Sequence, residues 1–168
     1  LHLILPESKL KGDYSGLINK INLTMQDYLS KNIFMTYRNA FVYVERTLQN
    51  GKIRHGIVGM IDLEKYDYLP ESKSDIRATE KTIIARIPPR KKIRENALIE
   101  LPHILLLCDD SEHILFSYLE KTKSKLPKVY DFDLMEHGGH IAGWLLHDEF
   151  ADKFQELIDR YEEGALTR

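Results

Sequence analysis

The chain has 168 residues, of which 43% are hydrophobic and 30% are charged, a balance typical of one globular domain or of one domain with an appendage. Its formal net charge of −2 argues against a general nucleic-acid coat protein, because such proteins are basic overall. The single cysteine, Cys108, excludes an internal disulfide, and the longest apolar run, residues 104–108, is too short to cross a bilayer. We therefore expect a cytoplasmic protein.

The first predicted elements are a helix and a β-hairpin. Apolar residues recur at helical spacing over residues 14–31, which predicts a helix. Residues 40–48 and 53–63 are rich in aromatic and β-branched residues and flank an Asn-Gly pair at 50–51. Asn-Gly tolerates the positive φ angles of a type I′ turn, so these two segments predict a hairpin.

The middle of the chain predicts a buried strand followed by a helix. Residues 104–107 are wholly apolar and end at two aspartates, which predicts a central strand covered on both faces. Cys108, at the end of this run, is expected to be a buried small hydrophobic residue. Residues 111–125 carry apolar side chains along one side and predict a helix.

The last third of the chain predicts a second hairpin and a final helix. Residues 128–135 alternate between polar and apolar, Gly138-Gly139 turns the chain, and residues 140–146 return as a strand. An apolar stripe along residues 148–161 then predicts a helix. We therefore predict an α+β fold with a mixed, mainly antiparallel sheet, two β-hairpins and flanking helices. Its expected parts are an N-terminal helical segment, residues 1–35, and an α+β domain, residues 36–168.

The segment 76–94, IRATEKTIIARIPPRKKIR, is the strongest candidate for a functional site. In it, Glu80 lies beside Thr79 and close to Thr82, and a carboxylate in such a setting can accept a proton from a hydroxyl group. Five cations follow, which are Arg86, Arg90, Lys91, Lys92 and Arg94. Guanidinium groups hold phosphate through a planar fork, and the Pro-Pro pair between the cations is expected to stiffen the loop that presents them. An exposed strand followed by a solvated, charged loop explains the same residues without a function.

A metal site is the second hypothesis that the residues raise. Asp131, Asp133, His137 and His140 converge around the second hairpin and carry oxygen and nitrogen donors. Their spacing matches no established ligand motif, and the Gly-Gly turn explains both histidines as loop residues. We predict no metal site.

Several stretches of the chain resemble an uncharacterised bacterial and archaeal family, catalogued as domain of unknown function 1015 and often labelled ParB-like. They are RATEKTIIARIPPRKKIRENALIELPHILLLCDD at 77–110, FVYVER at 41–46, GIVGMIDLEKY at 56–66 and YDFDLMEHGGHIAGW at 130–144. Members of the family are longer and carry a further motif of Gly-His type, similar to the phosphate-binding loop of ParB nucleotidases, sulfiredoxins and a ParB-like free-serine kinase. The resemblance implies that this chain is an incomplete part of such a protein and is inactive alone.

The resemblance also implies a function for the full-length protein, a kinase-type phosphotransferase that acts on a small molecule and uses a nucleotide with magnesium. The functional segment of the family falls, in this chain, on Glu80, Thr82, Arg86, Arg90 and Arg94. Glu80 is then the base toward an alcohol, and Thr82 and the arginines bind the cofactor. Many relatives have a histidine before that glutamate, whereas this chain has Thr79, so a proton relay through an imidazole lacks its residue.

Two further interpretations stay open besides a small-molecule or nucleotide ligand. A nucleic-acid-associated, partition-like module would use the basic segment, although no aromatic residue lies among its cations to stack on bases. A non-catalytic interaction domain would pair the exposed strand of the first hairpin with another chain and form a homo-oligomer. No membrane partner is expected.

Overall fold

The computed structural model describes residues 3–9, 12–67, 69, 71–72, 74, 76–77, 83–101, 104–108 and 110–161. The chain packs as two compact units, one formed by Leu1–Thr36 with Thr79–Leu106 and the other by Tyr37–Ala78 with Leu107–Arg168. The expected domain division at residue 36 stays a prediction. Within the described ranges, no helix combines the length and the apolar character that a membrane span requires.

The described part of the first unit contains two helices. α1 spans Ser15–Ser30, as the apolar spacing predicts, and buries Ile18 and Met25. α2 spans Ile87–Arg94 and follows a short 3₁₀ turn at Ile84–Arg86.

α2 corrects the expectation that the prolines stiffen a loop. Pro88 and Pro89 lie in the first turn of this helix. Backbone N–H groups at that position have no partner within the helix, so a proline loses no hydrogen bond there, and its fixed φ favours the helical conformation. Four of the five predicted cations therefore lie on a helix rather than on a loop, namely Arg90, Lys91, Lys92 and Arg94.

The second unit contains six strands and two helices among the described residues. The strands are β1 (Phe41–Thr47), β2 (Ile53–Val58), β3 (Tyr66–Asp67), β4 (Ile76–Arg77), β5 (Lys128–Asp133) and β6 (His140–Leu146). The helices are α3 (Ile114–Thr122) and α4 (Asp148–Tyr161). β2, β1, β6 and β5 lie side by side in that order as an antiparallel sheet, and β3 pairs with β4 in parallel. This arrangement confirms the α+β fold class and both predicted hairpins.

The prediction of a central strand at residues 104–107 is wrong. These residues form no strand, and their exposed fractions run from 42% to 88%. The physical reason is that β1 and β6 pair directly, from Phe41↔Leu146 to Thr47↔His140, and so occupy the centre of the sheet themselves. The prediction that Cys108 is buried is also wrong. Cys108 directly follows this exposed run and is itself exposed.

The core of the second unit joins the sheet to its helices. Tyr43 on β1 and Leu119 on α3 are fully buried, and Trp144 on β6 is 9% exposed. Phe41 and Phe154 meet edge to face with their ring centres 5.3 Å apart, which brings α4 against β1.

Asp110 fixes the beginning of α3. Its carboxylate, in a residue only 9% exposed, accepts hydrogen bonds from the backbone N–H groups of Ile114 at 2.9 Å, Leu115 at 3.2 Å and Phe116 at 3.0 Å. The first N–H groups of a helix have no partner within the helix, and the helix dipole favours negative charge there. Asp110 therefore supplies both the hydrogen-bond acceptors and the negative charge that favour the start of α3.

Two glycines of the second hairpin are required by close approach. Gly139 has a φ of +86°, and a side chain there would overlap the backbone oxygen of Thr47. At Gly143 a side chain would overlap the aromatic ring of Tyr130, which lies against the backbone. The second hairpin therefore depends on backbone that carries no side chain at these points.

Candidate functional site

A cleft of about 560 Å³ lies in the first unit between α1, α2 and the chain that follows α2. Its volume falls within the range of about 300–1,000 Å³ typical of small-molecule sites. It is lined by Leu3, Ile4, Leu5, Ile21, Met25, Ala85, Pro89, Arg90, Ile93, Arg94, Ala97, Ile99, Glu100 and Leu101. The cleft therefore joins part of the basic segment to residues near the beginning of the chain.

The charged residues of the cleft are exposed, whereas most of its apolar residues are partly or fully buried. Met25, at its floor, is 4% exposed, and Ile21 and Ile93 are partly buried. Arg90, Arg94 and Glu100 are all exposed. The cleft therefore has an aliphatic floor and a charged rim.

An ion pair neutralises one of the two rim arginines. Nε of Arg94 lies 2.9 Å from Oε2 of Glu100 as an ion pair, with the two side chains 49% and 52% exposed. Arg90 is exposed, and no hydrogen bond or ion pair with another described residue engages it. The three charged groups together leave the rim with one net positive charge.

The two lysines of α2 do not line the cleft. Lys92 donates through Nζ to Oγ of Ser15 at 2.9 Å and lies 5.3 Å from the centre of the Tyr14 ring, where a cation–π interaction is favourable. Lys92 therefore links α2 to the beginning of α1. Lys91 is exposed to solvent.

The structure describes only part of the predicted site. Glu80 and Thr82, together with Thr79, lie outside the described residues, and so does the side chain of Arg86. The roles proposed for these residues stay predictions. Arg90 and Arg94 are the two predicted site residues that the structure brings together, one turn apart on α2 at the same rim.

The carboxylates and imidazole of the second hairpin form an ion network. His140 bonds through Nε2 to Asp131 at 2.6 Å and through Nδ1 to Asp133 at 2.8 Å. Hydrogen bonds to Asp133 and then Asp131 raise the pKa of His140. A hydrogen bond from Lys128, and then the one from His140, lower the pKa of Asp131. Both ring nitrogens of His140 are therefore held by carboxylates, and the fourth candidate ligand, His137, is an exposed turn residue.

The residue pattern did not reveal a second polar network, which joins β1 and β2 to the residue that follows α3. The hydroxyl of Tyr43 donates to Oε1 of Glu45 at 2.9 Å, and Nζ of Lys123 donates to the same oxygen at 2.7 Å. Nδ1 of His55 lies 2.7 Å from the Tyr43 oxygen. Because the hydroxyl hydrogen is directed to Glu45, His55 donates from Nδ1. Burial, and then the bond to Glu45, raise the pKa of Tyr43 far above its usual value. The register of the first hairpin, which sets Glu45 opposite His55, is the signal that could have found the network.

One family profile matches the sequence, and the match covers residues 1–163. The family is described as a protein of unknown function (DUF1015). No functionally curated protein and no solved structure gives a significant match. The comparisons therefore assign a family and leave the chemistry to be argued from the cleft.

Proposed function

The chain belongs to the DUF1015 family of proteins of unknown function, and we propose that it provides the anion-binding part of a nucleotide-dependent, kinase-type phosphotransferase acting on a small-molecule alcohol. The observation that carries the proposal is the presence of Arg90 and Arg94 on the rim of one cleft. A helix that places two guanidinium groups beside an apolar cavity is suited to a phosphorylated small molecule.

The geometry at Arg94 supports phosphate binding. The ion pair with Glu100, 2.9 Å from Nε, holds the Arg94 guanidinium at the rim of the same cleft as Arg90. Charge-assisted bonds from guanidinium to phosphate are about twice as strong as neutral ones. Arg90 supplies the excess positive charge that a phosphate requires at the rim.

The proposed chemistry divides between described and undescribed residues. A nucleotide with magnesium would supply the phosphoryl group. As the alcohol oxygen forms its bond to phosphorus, Glu80 accepts the hydroxyl proton and the nucleoside diphosphate leaves with the electrons of the broken P–O bond. Arg90 and Arg94 hold the phosphate charge near the cleft. The roles of Glu80, Thr82 and Arg86 rest on the family resemblance alone.

Calorimetric titration of the full-length protein with ADP, ATP and CTP, each with magnesium, tests the proposal. We expect binding of at least one nucleotide, weakened about tenfold or more in Arg90→Ala because a charge-assisted bond is lost. Glu80→Gln should keep nucleotide binding and lose phosphoryl transfer. Arg54→Ala, which removes an exposed arginine of β2 in the other unit, is the matched control and should bind like wild type. Absence of binding heat at millimolar concentrations of all three nucleotides would refute the proposal.

A homo-oligomer formed through the first hairpin is a second candidate. β2 lies at an edge of the four-stranded sheet, where its free backbone groups can pair with another chain. The side chain of Ile53 on this strand is 50% exposed. Light scattering tests the candidate, and a monomeric mass at high protein concentration would exclude it.

A further inference from the structure

We infer that the cleft binds the phosphate monoester of an aliphatic alcohol, with the phosphate at Arg90 and the carbon skeleton on the aliphatic floor, and that a nucleobase does not bind there. The inference rests on the proposed function and names the class of its substrate. An aliphatic phosphate ester is the product that phosphoryl transfer to an aliphatic alcohol forms.

The charge of the rim determines the head group of the ligand. Arg94 and Glu100 compensate each other at 2.9 Å, whereas Arg90 has no partner among the described residues. A phosphate monoester carries a charge of about −1.5 to −2 at neutral pH and offers three strong acceptor oxygens. It therefore meets the excess charge of Arg90 and also reaches the N–H groups of Arg94. A neutral alcohol meets neither requirement.

The chemistry of the floor determines the body of the ligand. Within the described part of the chain, every uncharged residue that lines the cleft is leucine, isoleucine, methionine, alanine or proline. Proteins hold nucleobases by stacking them on aromatic side chains and by hydrogen bonds to their edges. Among the lining residues that the structure describes, none is aromatic and none of the uncharged ones has a polar side chain. A saturated carbon skeleton gains free energy on this floor, while a base would lose its hydrogen bonds to water without replacement.

The exposed charged rim and the buried apolar floor together set the orientation of a bound ligand. The charged side chains are exposed and Met25 is almost fully buried, so a ligand that places its phosphate at the rim directs its other end toward the floor. An amphipathic ligand matches this gradient, whereas inorganic phosphate uses only the rim.

The test is a binding series with inorganic phosphate and with ethyl, butyl and hexyl phosphate, measured by calorimetry on the whole protein, with hexanol and AMP as further probes. We expect the affinity to rise about threefold for each added methylene, since each buried methylene contributes favourably to transfer from water. Hexanol and AMP should bind much more weakly than hexyl phosphate. Arg90→Gln should weaken hexyl phosphate about tenfold, and Arg54→Gln, a matched change of charge in the other unit, should leave it unchanged.

Two variants that narrow the cleft separate the floor from the rim. Ala97→Phe fills part of the cleft with an aromatic ring and leaves its charge unchanged. Ala85→Leu fills part of it with a branched aliphatic side chain from the turn before α2. In either variant the gain with chain length should disappear while inorganic phosphate binds as before. Folding of each variant is checked by an unchanged far-UV circular dichroism spectrum, to which the helices of both units contribute.

Three results would overturn the inference. They are hexyl phosphate binding no tighter than inorganic phosphate, a chain-length gain that survives both narrowing variants, and AMP displacing hexyl phosphate at similar concentrations. If nucleotide binding depends on Arg90 but the alkyl series is flat, the substrate class is wrong and the phosphotransferase proposal stands. If the alkyl series rises as expected but no nucleotide binds, the phosphotransferase proposal fails and the ligand class of the cleft stands.

Discussion

Replacement of Asp110 by alanine removes the acceptor of three backbone hydrogen bonds at the start of α3, from Ile114, Leu115 and Phe116. Loss of a helix cap lowers the free energy of unfolding by about 0.5–2 kcal/mol. Loss of negative charge at a helix N-terminus adds about 0.3–1 kcal/mol. Asp110 is only 9% exposed, so water does not readily replace the lost bonds. We therefore expect the upper end of the combined range, about 2–3 kcal/mol.

Urea unfolding followed by the fluorescence of Trp144 measures this loss. Trp144 is the one tryptophan of the sequence and belongs to the same buried cluster as Leu115 and Leu119 of α3. With a urea dependence of about 1–3 kcal/mol per molar, the midpoint should fall by roughly 1 M. Asp110→Asn keeps one acceptor oxygen and should lose about half as much free energy.

The matched control is Glu112→Ala, which removes an exposed acid from the same turn. It tests whether a negative charge near the helix start stabilises the protein without hydrogen bonds to the backbone. We expect the free energy of unfolding to fall by less than about 0.5 kcal/mol. The reasoning is refuted if Asp110→Ala changes the free energy of unfolding by less than this amount, or if both variants lose the same amount.

The remaining predictions concern the second hairpin and the exposed thiol. Gly143→Ala adds a methyl group where an aromatic ring lies against the backbone, so we expect a loss of about 1–3 kcal/mol in urea unfolding; an unchanged midpoint would contradict that packing. Hydrogen bonds to Asp133 and Asp131 raise the pKa of His140, so its stabilisation is complete below the unfolded-state value of 6.5 and is lost as pH rises through the higher folded-state pKa. As the pH rises above 6.5, the urea midpoint of the wild type should therefore decrease, whereas that of His140→Gln should not. The same pH dependence of the midpoint in both proteins would rule out the network. Cys108 is exposed, so a thiol reagent should modify it in the folded protein, and protection until unfolding would restore the buried interpretation.

Both hairpins were predictable because their signals are local. Gly51 takes a φ of +78° in the first turn, the second turn has Glu136 and His137 at its centre directly before the Gly-Gly pair, and alternation within a few residues sets the faces of the strands. The apolar run 104–107 carried an equally strong local signal and forms no strand. Whether an apolar run enters a sheet depends on which strands already hold the centre, and the pairing of β1 with β6 is decided by residues far apart in the chain.

The candidate site also has a part that the local sequence predicts and a part that depends on the folded chain. Arg90 and Arg94 stood out because charge density is a property of neighbouring residues. The aliphatic floor could not be predicted, since Leu3, Leu5 and Ile21 join Ile93 only after the chain folds. Pro88-Pro89 predicted a loop and lies in a helix, because the fixed φ of proline suits the first turn of a helix as well as a loop.

β1 and β6 pair along their full length although the segment 48–139 separates them. Each hairpin needs only a short turn and can form within about 1–10 μs. Joining the two hairpins must first close the long intervening loop, so this docking step is expected to limit the rate of folding. The entropy of closure grows only with the logarithm of loop length, about 0.6 kcal/mol for each doubling. Insertions between the hairpins therefore slow the assembly of the sheet only slightly, and evolution can lengthen that segment while the sheet persists.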